Sequence, residues 1–104
     1  MRRPEIVEQI KSVIAEAEPT AKTILFGSEA RGDARSDSDI DLLVLLSKDH
    51  LTYDDENVVR WPLYQLEIRT GVSINPIILP KKSWENRPVK TPFYSNIIKD
   101  GIVL

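Results

Sequence analysis

The fold is decided by residues 24–44, which read ILFGSEARGDARSDSDIDLLV. A β-prone run, Thr23–Phe26, leads into this stretch and predicts a first strand that ends at Gly27. The stretch runs into the apolar segment Ile40–Leu46, which predicts a central strand covered on both faces because nearly every residue is apolar. The polar residues 28–37 between them show no alternation and predict a short helical turn followed by a loop. The two strands are therefore expected to lie side by side, joined by one short excursion.

The turn after the first strand carries the dipeptide Gly27-Ser28. A glycine at such a turn lets the backbone approach a phosphate closely, and free N–H groups there can point at the anion. The hydroxyl of Ser28 adds one more hydrogen-bond donor. On its own, a Gly-Ser pair after a strand is common at turns and does not identify a site.

The start of the second strand carries two carboxylates, Asp39 and Asp41. Side chains alternate along a strand, so both are expected to project from one face while Ile40 turns to the other. Two carboxylates that close repel each other, and a bound divalent cation removes this repulsion. The alternative for such a pair alone is a solvated acidic strand end. The turn and the acid pair together predict a phosphate-holding turn beside metal-holding carboxylates.

Three short motifs in this stretch, Gly27-Ser28, Ala30-Arg31-Gly32 and Ser38-Asp39-Ile40-Asp41-Leu42, resemble the signature of the polymerase-β-type nucleotidyltransferase superfamily. Within it, the chain is most similar to the minimal nucleotidyltransferases, which are single small domains. The resemblance is strong over residues 24–46 and looser elsewhere.

The resemblance implies a role for each matching residue. Gly27 and Ser28 would contact the phosphates of a nucleoside triphosphate, and Asp39 and Asp41 would be the catalytic residues that hold Mg²⁺. Arg31 would bind a phosphate through its forked guanidinium. An exposed ion pair of Arg31 with Asp33 or Glu29 is an equally good interpretation.

The chain departs from the family pattern at the third acidic residue, which fully catalytic members commonly carry on a later strand. The matching strand here contains no acid, and Asn75 is the expected occupant of the slot, with Ser73 as the alternative. Asn75 can coordinate a metal through its carbonyl oxygen but cannot act as a base at neutral pH. Glu67 is another candidate acid, although a solvated helix position is the simpler interpretation for it.

The remaining residues predict an α/β (α+β) fold, a small mixed β-sheet with helices packed on it, of the polymerase-β-like nucleotidyltransferase type. An apolar stripe predicts a first helix over Pro4–Ala17, and Pro76 predicts an edge position or a bulge in the third strand. The other expected segments are a loop over Lys48–Asn57, with Asp54 or Asp55 as a possible helix cap, a helix to about Arg69, a strand over Val72–Leu79, a helical turn over Lys81–Asn86, and a helix over Thr91–Lys99 closed by Gly101.

Composition limits the function classes further. The 104 residues are expected to form a single nucleotidyltransferase domain, 1–104, and the lack of cysteine rules out a disulfide framework or thiolate metal site. A net charge of −2 disfavours long nucleic acid as a substrate. No apolar run is long enough to span a bilayer, and the N-terminus lacks an apolar signal core. We therefore expect a cytoplasmic protein that does not associate with membranes.

Two functions remain open at this point. The first is transfer of a nucleoside monophosphate from a nucleoside triphosphate to a hydroxyl of a partner protein or small molecule. ATP is the expected donor, so AMP is the expected transferred group. The alternative is a catalytically weak, antitoxin-like or regulatory subunit that binds nucleotide. The resemblance implies a helical HEPN-type partner protein for either function and leaves a homo-oligomer open.

Overall fold

The computed structural model describes residues 1–86 and 90–104 of the chain. Helices and strands follow one another in the order that the sequence predicts, with one additional short strand at the end. In chain order the elements are α1 Pro4–Ala17, β1 Lys22–Phe26, α2 Gly27–Arg31, β2 Ile40–Leu46, α3 Tyr53–Thr70, β3 Ile74–Pro80, α4 Lys81–Glu85, α5 Pro92–Asp100 and β4 Ile102–Val103. None of the helices in these described ranges is long and apolar enough to cross a membrane.

The strands form one mixed sheet in the order β3-β2-β1-β4. β1 runs antiparallel to both β2 and β4, whereas β2 and β3 are parallel. A parallel pair needs a long crossover connection, and α3 supplies it. As a result, the end of β1 and the starts of β2 and β3 meet at the same edge of the sheet. The predicted mixed sheet with packed helices is confirmed.

Helices cover both faces of the sheet, as the apolar character of β2 predicts. Ile40, Leu42, Val44 and Leu46 face the core that α1 and α3 build. Leu43 and Leu45 face a smaller cluster on the other side, together with Trp84 of α4 and Ile97 of α5. All these β2 side chains are almost completely buried because the strand is central and covered twice. By alternation, Asp41 belongs to the same face as Leu43 and Leu45.

The start of α3 corrects the prediction of a loop over Lys48–Asn57, which is wrong from Tyr53 onward. Thr52 forms a capping box, in which its hydroxyl accepts from the N–H of Asp55 at 3.1 Å and the Asp55 carboxylate accepts from the N–H of Thr52 at 3.0 Å. Together with Lys48, whose Nζ lies 2.9 Å from it, this bonding lowers the pKa of Asp55 to about 2. The helix then continues through Pro62.

The end of the chain shows two further differences from the sequence prediction. β3 begins at Ile74 rather than Val72, and it is the edge strand that Pro76 predicts, with a continuous register and no bulge. Helix α5 does stop before Gly101, as predicted. However, β4 follows at once and pairs with β1, an element that the sequence analysis missed.

Candidate functional site

Glycine is favoured at the turn after β1 by its positive φ and by the close approach of the turn to β2. Gly27 has a φ of +75°, and Phe26 before it pairs with Asp41 across the antiparallel ladder. A Cβ atom at Gly27 would lie 2.4 Å from Oδ2 of Asp41. The geometry therefore brings the backbone of the Gly27-Ser28 turn directly against one of the two predicted carboxylates.

Asp41 also meets Asn75 across the parallel pair of β2 and β3, where the two residues are in register. The Nδ2 of Asn75 donates a hydrogen bond to Oδ1 of Asp41 at 3.2 Å. Position 75 is thus on the same face as Asp41, as predicted for the slot of the absent third acid. The carbonyl oxygen of the Asn75 amide is left available for another interaction.

Asp39 precedes the first residue of β2 and is exposed to solvent. Ile40 between the two aspartates is completely buried in the α1/α3 core, and its N–H donates to the carbonyl of Ser73 at 2.9 Å. This anchoring fixes the alternation within β2, so Asp41 turns to the side opposite the Ile40 side chain. Asp39 lies one residue before the strand, and the face that it shares with Asp41 stays a prediction.

Glu29 in α2 is a structural residue that the sequence analysis missed. Its carboxylate is completely buried and accepts hydrogen bonds from Nε of Arg3 at 2.6 Å and from the backbone N–H groups of Arg3 and Arg2 at 2.7 and 2.5 Å. Burial alone would raise the pKa of Glu29, but these hydrogen bonds and the charge of Arg3 hold it below its usual value. The start of the chain is thereby tied to the helix that follows the Gly27-Ser28 turn. No pattern in the sequence links residues so far apart.

The one phosphate ligand that is predicted outside the turn lies at the surface. Arg31 is exposed and forms an ion pair with Asp33, with Nε and Oδ2 at 3.3 Å, which is one of the two alternatives considered for it. Arg35 pairs in the same way with Asp37 at 3.5 Å. Exposed pairs of this kind contribute at most about 1 kcal/mol, so either guanidinium can exchange its partner for a phosphate at little cost. Ser28 lies half-buried at the start of α2.

Glu67 does not act as a solvated helix residue, which corrects the simpler interpretation. Its Oε1 accepts the backbone N–H of Ile74 at 2.8 Å, and the side chain is half-buried at the start of β3. Within residues 1–86 and 90–104, no three His, Cys, Asp or Glu side chains cluster as a metal site. The absence of a third carboxylate beside Asp39 and Asp41 therefore holds in space as well as in sequence, as far as the chain is described.

The donor set of this edge fits a hard divalent cation. Two carboxylates, Asp39 and Asp41, and the amide oxygen of Asn75 are oxygen donors of the kind that Mg²⁺ prefers. Magnesium usually takes only one or two protein carboxylates and completes its shell with water and phosphate oxygens. The close approach of the Gly27 backbone to Asp41 leaves that carboxylate beside the turn for which the sequence predicts phosphate binding.

Comparison with known proteins agrees with this geometry. Residues 7–104 match the sequence profile of the nucleotidyltransferase domain. Over 83 residues the chain is 35% identical to MJ0604 of Methanocaldococcus jannaschii, a candidate protein adenylyltransferase; the match covers 80% of this chain and 76% of that protein.

Solved structures show the same fold. A candidate minimal nucleotidyltransferase superposes with a TM-score of 0.61 at 25% identity, covering 100% of this chain and 97% of that one. A toxin–antitoxin crystal structure with AMP-PNP superposes with a TM-score of 0.64 at 23% identity, covering 92% of this chain and 69% of that one. The latter likeness concerns the fold alone. Together with the profile match and the archaeal relative, the site geometry leads to one assignment: the chain belongs to the nucleotidyltransferase domain family, a family of transferases.

Proposed function

We propose that residues 1–104 form a single nucleotidyltransferase domain that binds Mg·ATP and transfers AMP to a hydroxyl of a partner protein or a small molecule. One observation carries the proposal: the Gly27 turn lies so close to the Asp41 carboxylate that a Cβ atom at Gly27 would force this carboxylate to move. The archaeal relative's designation as a candidate protein adenylyltransferase supports AMP as the transferred group. The AMP-PNP and second protein in the toxin–antitoxin structure are consistent with a nucleotide and a partner here.

In this proposal Gly27 and Ser28 bind the β and γ phosphates. The backbone N–H groups of the turn and the Ser28 hydroxyl are donors, and hydrogen bonds to a charged phosphate are stronger than those between neutral groups. Arg31 leaves Asp33 and adds a fork of N–H donors to the triphosphate. Binding of this kind orients the nucleotide without chemical change in the protein.

Asp39 and Asp41 would hold the magnesium ion, with the Asn75 amide oxygen as a third ligand. When bound, the ion neutralises charge on the triphosphate and on the departing pyrophosphate. The carboxylates also position the triphosphate relative to the open edge of the sheet, where the acceptor hydroxyl would enter. Without the ion, the same carboxylates repel the triphosphate, so nucleotide binding should depend on metal.

In the transfer itself, the acceptor oxygen forms a bond to the α-phosphorus while the bond from that phosphorus to the oxygen bridging to the β-phosphate breaks. Pyrophosphate leaves, and the acceptor loses its hydroxyl proton. The Asn75 side chain cannot accept this proton at neutral pH. The proton therefore passes to water or to a group that the acceptor supplies, and transfer is slow in consequence.

The hydrogen bond between Asn75 and Asp41 favours a second candidate function. An amide in the position of the third acid keeps the binding site and removes the base. A chain of this kind suits an antitoxin-like or regulatory subunit that binds nucleotide next to a helical, HEPN-type partner protein and turns over weakly.

The binding half of the proposal is tested by calorimetry with ATP in the presence and absence of Mg²⁺. Heat of binding is expected only with Mg²⁺, and Asp39→Asn or Asp41→Asn should abolish it. Asp37→Asn is the matched control, because Asp37 lies in the same acidic run but is highly exposed and paired with Arg35. If both site variants bound Mg·ATP like the parent, the assignment of the metal ligands would be wrong.

The transfer half is tested with ATP labelled at the α or the γ phosphate, incubated with the chain and a helical, HEPN-type protein as the acceptor. Only the α label should appear on the acceptor, because AMP and not phosphate is transferred. Asn75→Asp should raise the rate, since it replaces a neutral amide ligand with a charged carboxylate that can also act as a base. A parent that already transfers efficiently and gains nothing from this change would rule out the amide as the reason for weak turnover.

A further inference from the structure

The outward face of α3 is apolar along most of its length. The face that packs into the core carries Val59, Leu63 and Leu66. On the opposite face, the exposed fractions are 80% for Tyr53, 54% for Trp61, 51% for Tyr64 and 65% for Ile68. With Asn57 these residues form one helical row, which we call the α3 stripe, about 22 Å long at the rise of an α-helix.

Such a stripe is unusual on a helix that faces water. Surface helices carry an apolar row toward the core and polar residues opposite, and helices that are apolar on both sides are covered on both sides. Tryptophan and tyrosine are also the residues most enriched among those that dominate binding energy at protein interfaces. The rings of Trp61 and Tyr64 already stack, with centroids 5.8 Å apart and planes 29° apart, so little side-chain freedom is lost when they are covered.

A groove runs beside the stripe, between α1 and α3. Its volume is about 520 Å³. It is lined by apolar side chains of both helices, Val13, Ala17, Val58 and Pro62, and by the polar side chains of Glu16, Gln65 and Arg69. A second concave region continues from it to Trp61. The same surface therefore offers both a projecting aromatic side chain and a partly apolar groove beside it. This combination is what a two-fold symmetric interface requires, because each copy must supply both halves of the contact.

The charges beside the stripe of one copy are also complementary to those beside the stripe of an antiparallel second copy. Acidic residues, Asp54 among them, occupy the first turn of α3, and Arg69 occupies the last. If a second α3 packs antiparallel, Asp54 of each copy lies near Arg69 of the other. Tyr53 lies eight residues before Trp61 and Ile68 seven residues after it, so the two also come near each other across a two-fold axis close to Trp61. The antiparallel helix dipoles attract as well.

We propose that the α3 stripe is a homodimer interface, in which a second copy of this chain packs its α3 antiparallel around a two-fold axis near Trp61. Trp61 of each copy enters the α1/α3 groove of the other. The stripe points away from the sheet and from Asp41, so both candidate active sites stay open in the dimer. The proposal does not depend on the transfer reaction.

The oligomeric state of the purified chain tests the proposal directly, by sedimentation velocity over a range of concentrations. The parent should sediment as a dimer of the 11.8 kDa chain. Ile68→Asp should be monomeric, whereas Ile98→Asp should remain dimeric. Ile98 is the matched control because it is also an isoleucine on a helix, 60% exposed against 65% for Ile68. Far-ultraviolet circular dichroism confirms that both variants are folded.

The antiparallel arrangement is tested by exchanging charges. Asp54→Lys and Arg69→Glu should each weaken the dimer at low salt, since each places like charges together, and the double variant should recover the parent affinity. A double variant that stays weak would overturn the antiparallel pairing. A parent that remains monomeric up to about 1 mM, or that covers the stripe only with a different protein, would overturn the homodimer. Mg·ATP binding by Ile68→Asp should equal that of the parent, which separates this result from the proposed function.

Discussion

The close approach of the Gly27 turn to Asp41 can be tested by adding a single methyl group. Gly27→Ala places a Cβ atom 2.4 Å from Oδ2 and 3.3 Å from Cγ of Asp41. Real Cβ atoms do not tolerate such a distance, so the Asp41 carboxylate must move. The substitution also strains the backbone, because φ at this residue is +75° and side chains with a Cβ disfavour that region.

The two effects have different sizes and can be separated. Backbone strain from a positive φ costs about 1–2 kcal/mol. Displacing the Asp41 side chain breaks its hydrogen bond from Asn75, which costs about 0.5–1.5 kcal/mol, and a shift off its rotamer costs about as much again. Gly71→Ala supplies the control, because Gly71 has a φ of +71° and nothing within 4 Å of its added Cβ. Only the strain applies there.

We therefore expect Gly27→Ala to lower the free energy of unfolding by about 1–3 kcal/mol more than Gly71→Ala, as measured by urea denaturation. Calorimetry should show loss of Mg·ATP binding for Gly27→Ala alone. In an Asp41→Ala background, the cost of Gly27→Ala should fall to that of Gly71→Ala, because the clash is gone. Equal losses of stability for the two alanine variants, with unchanged nucleotide binding in both, would refute the contact as the organising feature of the site.

Two further substitutions probe the turn and the helix behind it. Ser28→Ala should weaken Mg·ATP binding by about 1.5–3 kcal/mol, the value of a hydrogen bond to a charged group, with an unchanged melting temperature; a lower melting temperature with unchanged affinity would make Ser28 a structural residue. Glu29→Gln should lower the free energy of unfolding by about 3 kcal/mol or more, because the buried guanidinium of Arg3 loses its counter-charge. A Glu29→Gln variant as stable as the parent in urea would mean that the Arg3–Glu29 pair is not what holds α2.

The elements that the sequence predicts well are those in which local pattern and burial agree. α1 has the bounds Pro4–Ala17 that its apolar stripe and first-turn proline predict, and β2 has the bounds Ile40–Leu46 that its continuous apolar run predicts. The face of Asp41 could be predicted for the same reason, since it lies between the buried residues Ile40 and Leu42 of this strand. Asp41 and Asn75 are brought together by register, which a parallel crossover makes predictable once both strands are placed.

The features that could not be predicted depend on contacts between distant residues. β4 has two residues, too few for any periodicity, and it exists because β1 offers a free edge. The roles of Glu29 and Glu67 come from partners at the start of the chain and at the start of β3, and neither carboxylate stands out in its own segment. In α3 the difficulty is different. Apolar residues lie on both faces of this helix, so the sequence pattern alone does not show which face is buried.

The amide at position 75 has a physical advantage over a carboxylate, in addition to its effect on proton transfer. A carboxylate at position 75 would face Asp41 directly across the parallel pair, and with Asp39 nearby three negative charges would share one edge of a small domain. Without bound metal, such charges repel and raise one another's pKa, which costs folding free energy. Asn75 instead donates a hydrogen bond to Asp41 and leaves an amide oxygen for a cation. The amide therefore allows the metal-free domain to fold with its site in place, and the same exchange removes the group that would accept the hydroxyl proton. If the proposed function is correct, Asn75→Asp should lower the free energy of unfolding of the metal-free domain and raise the rate of transfer.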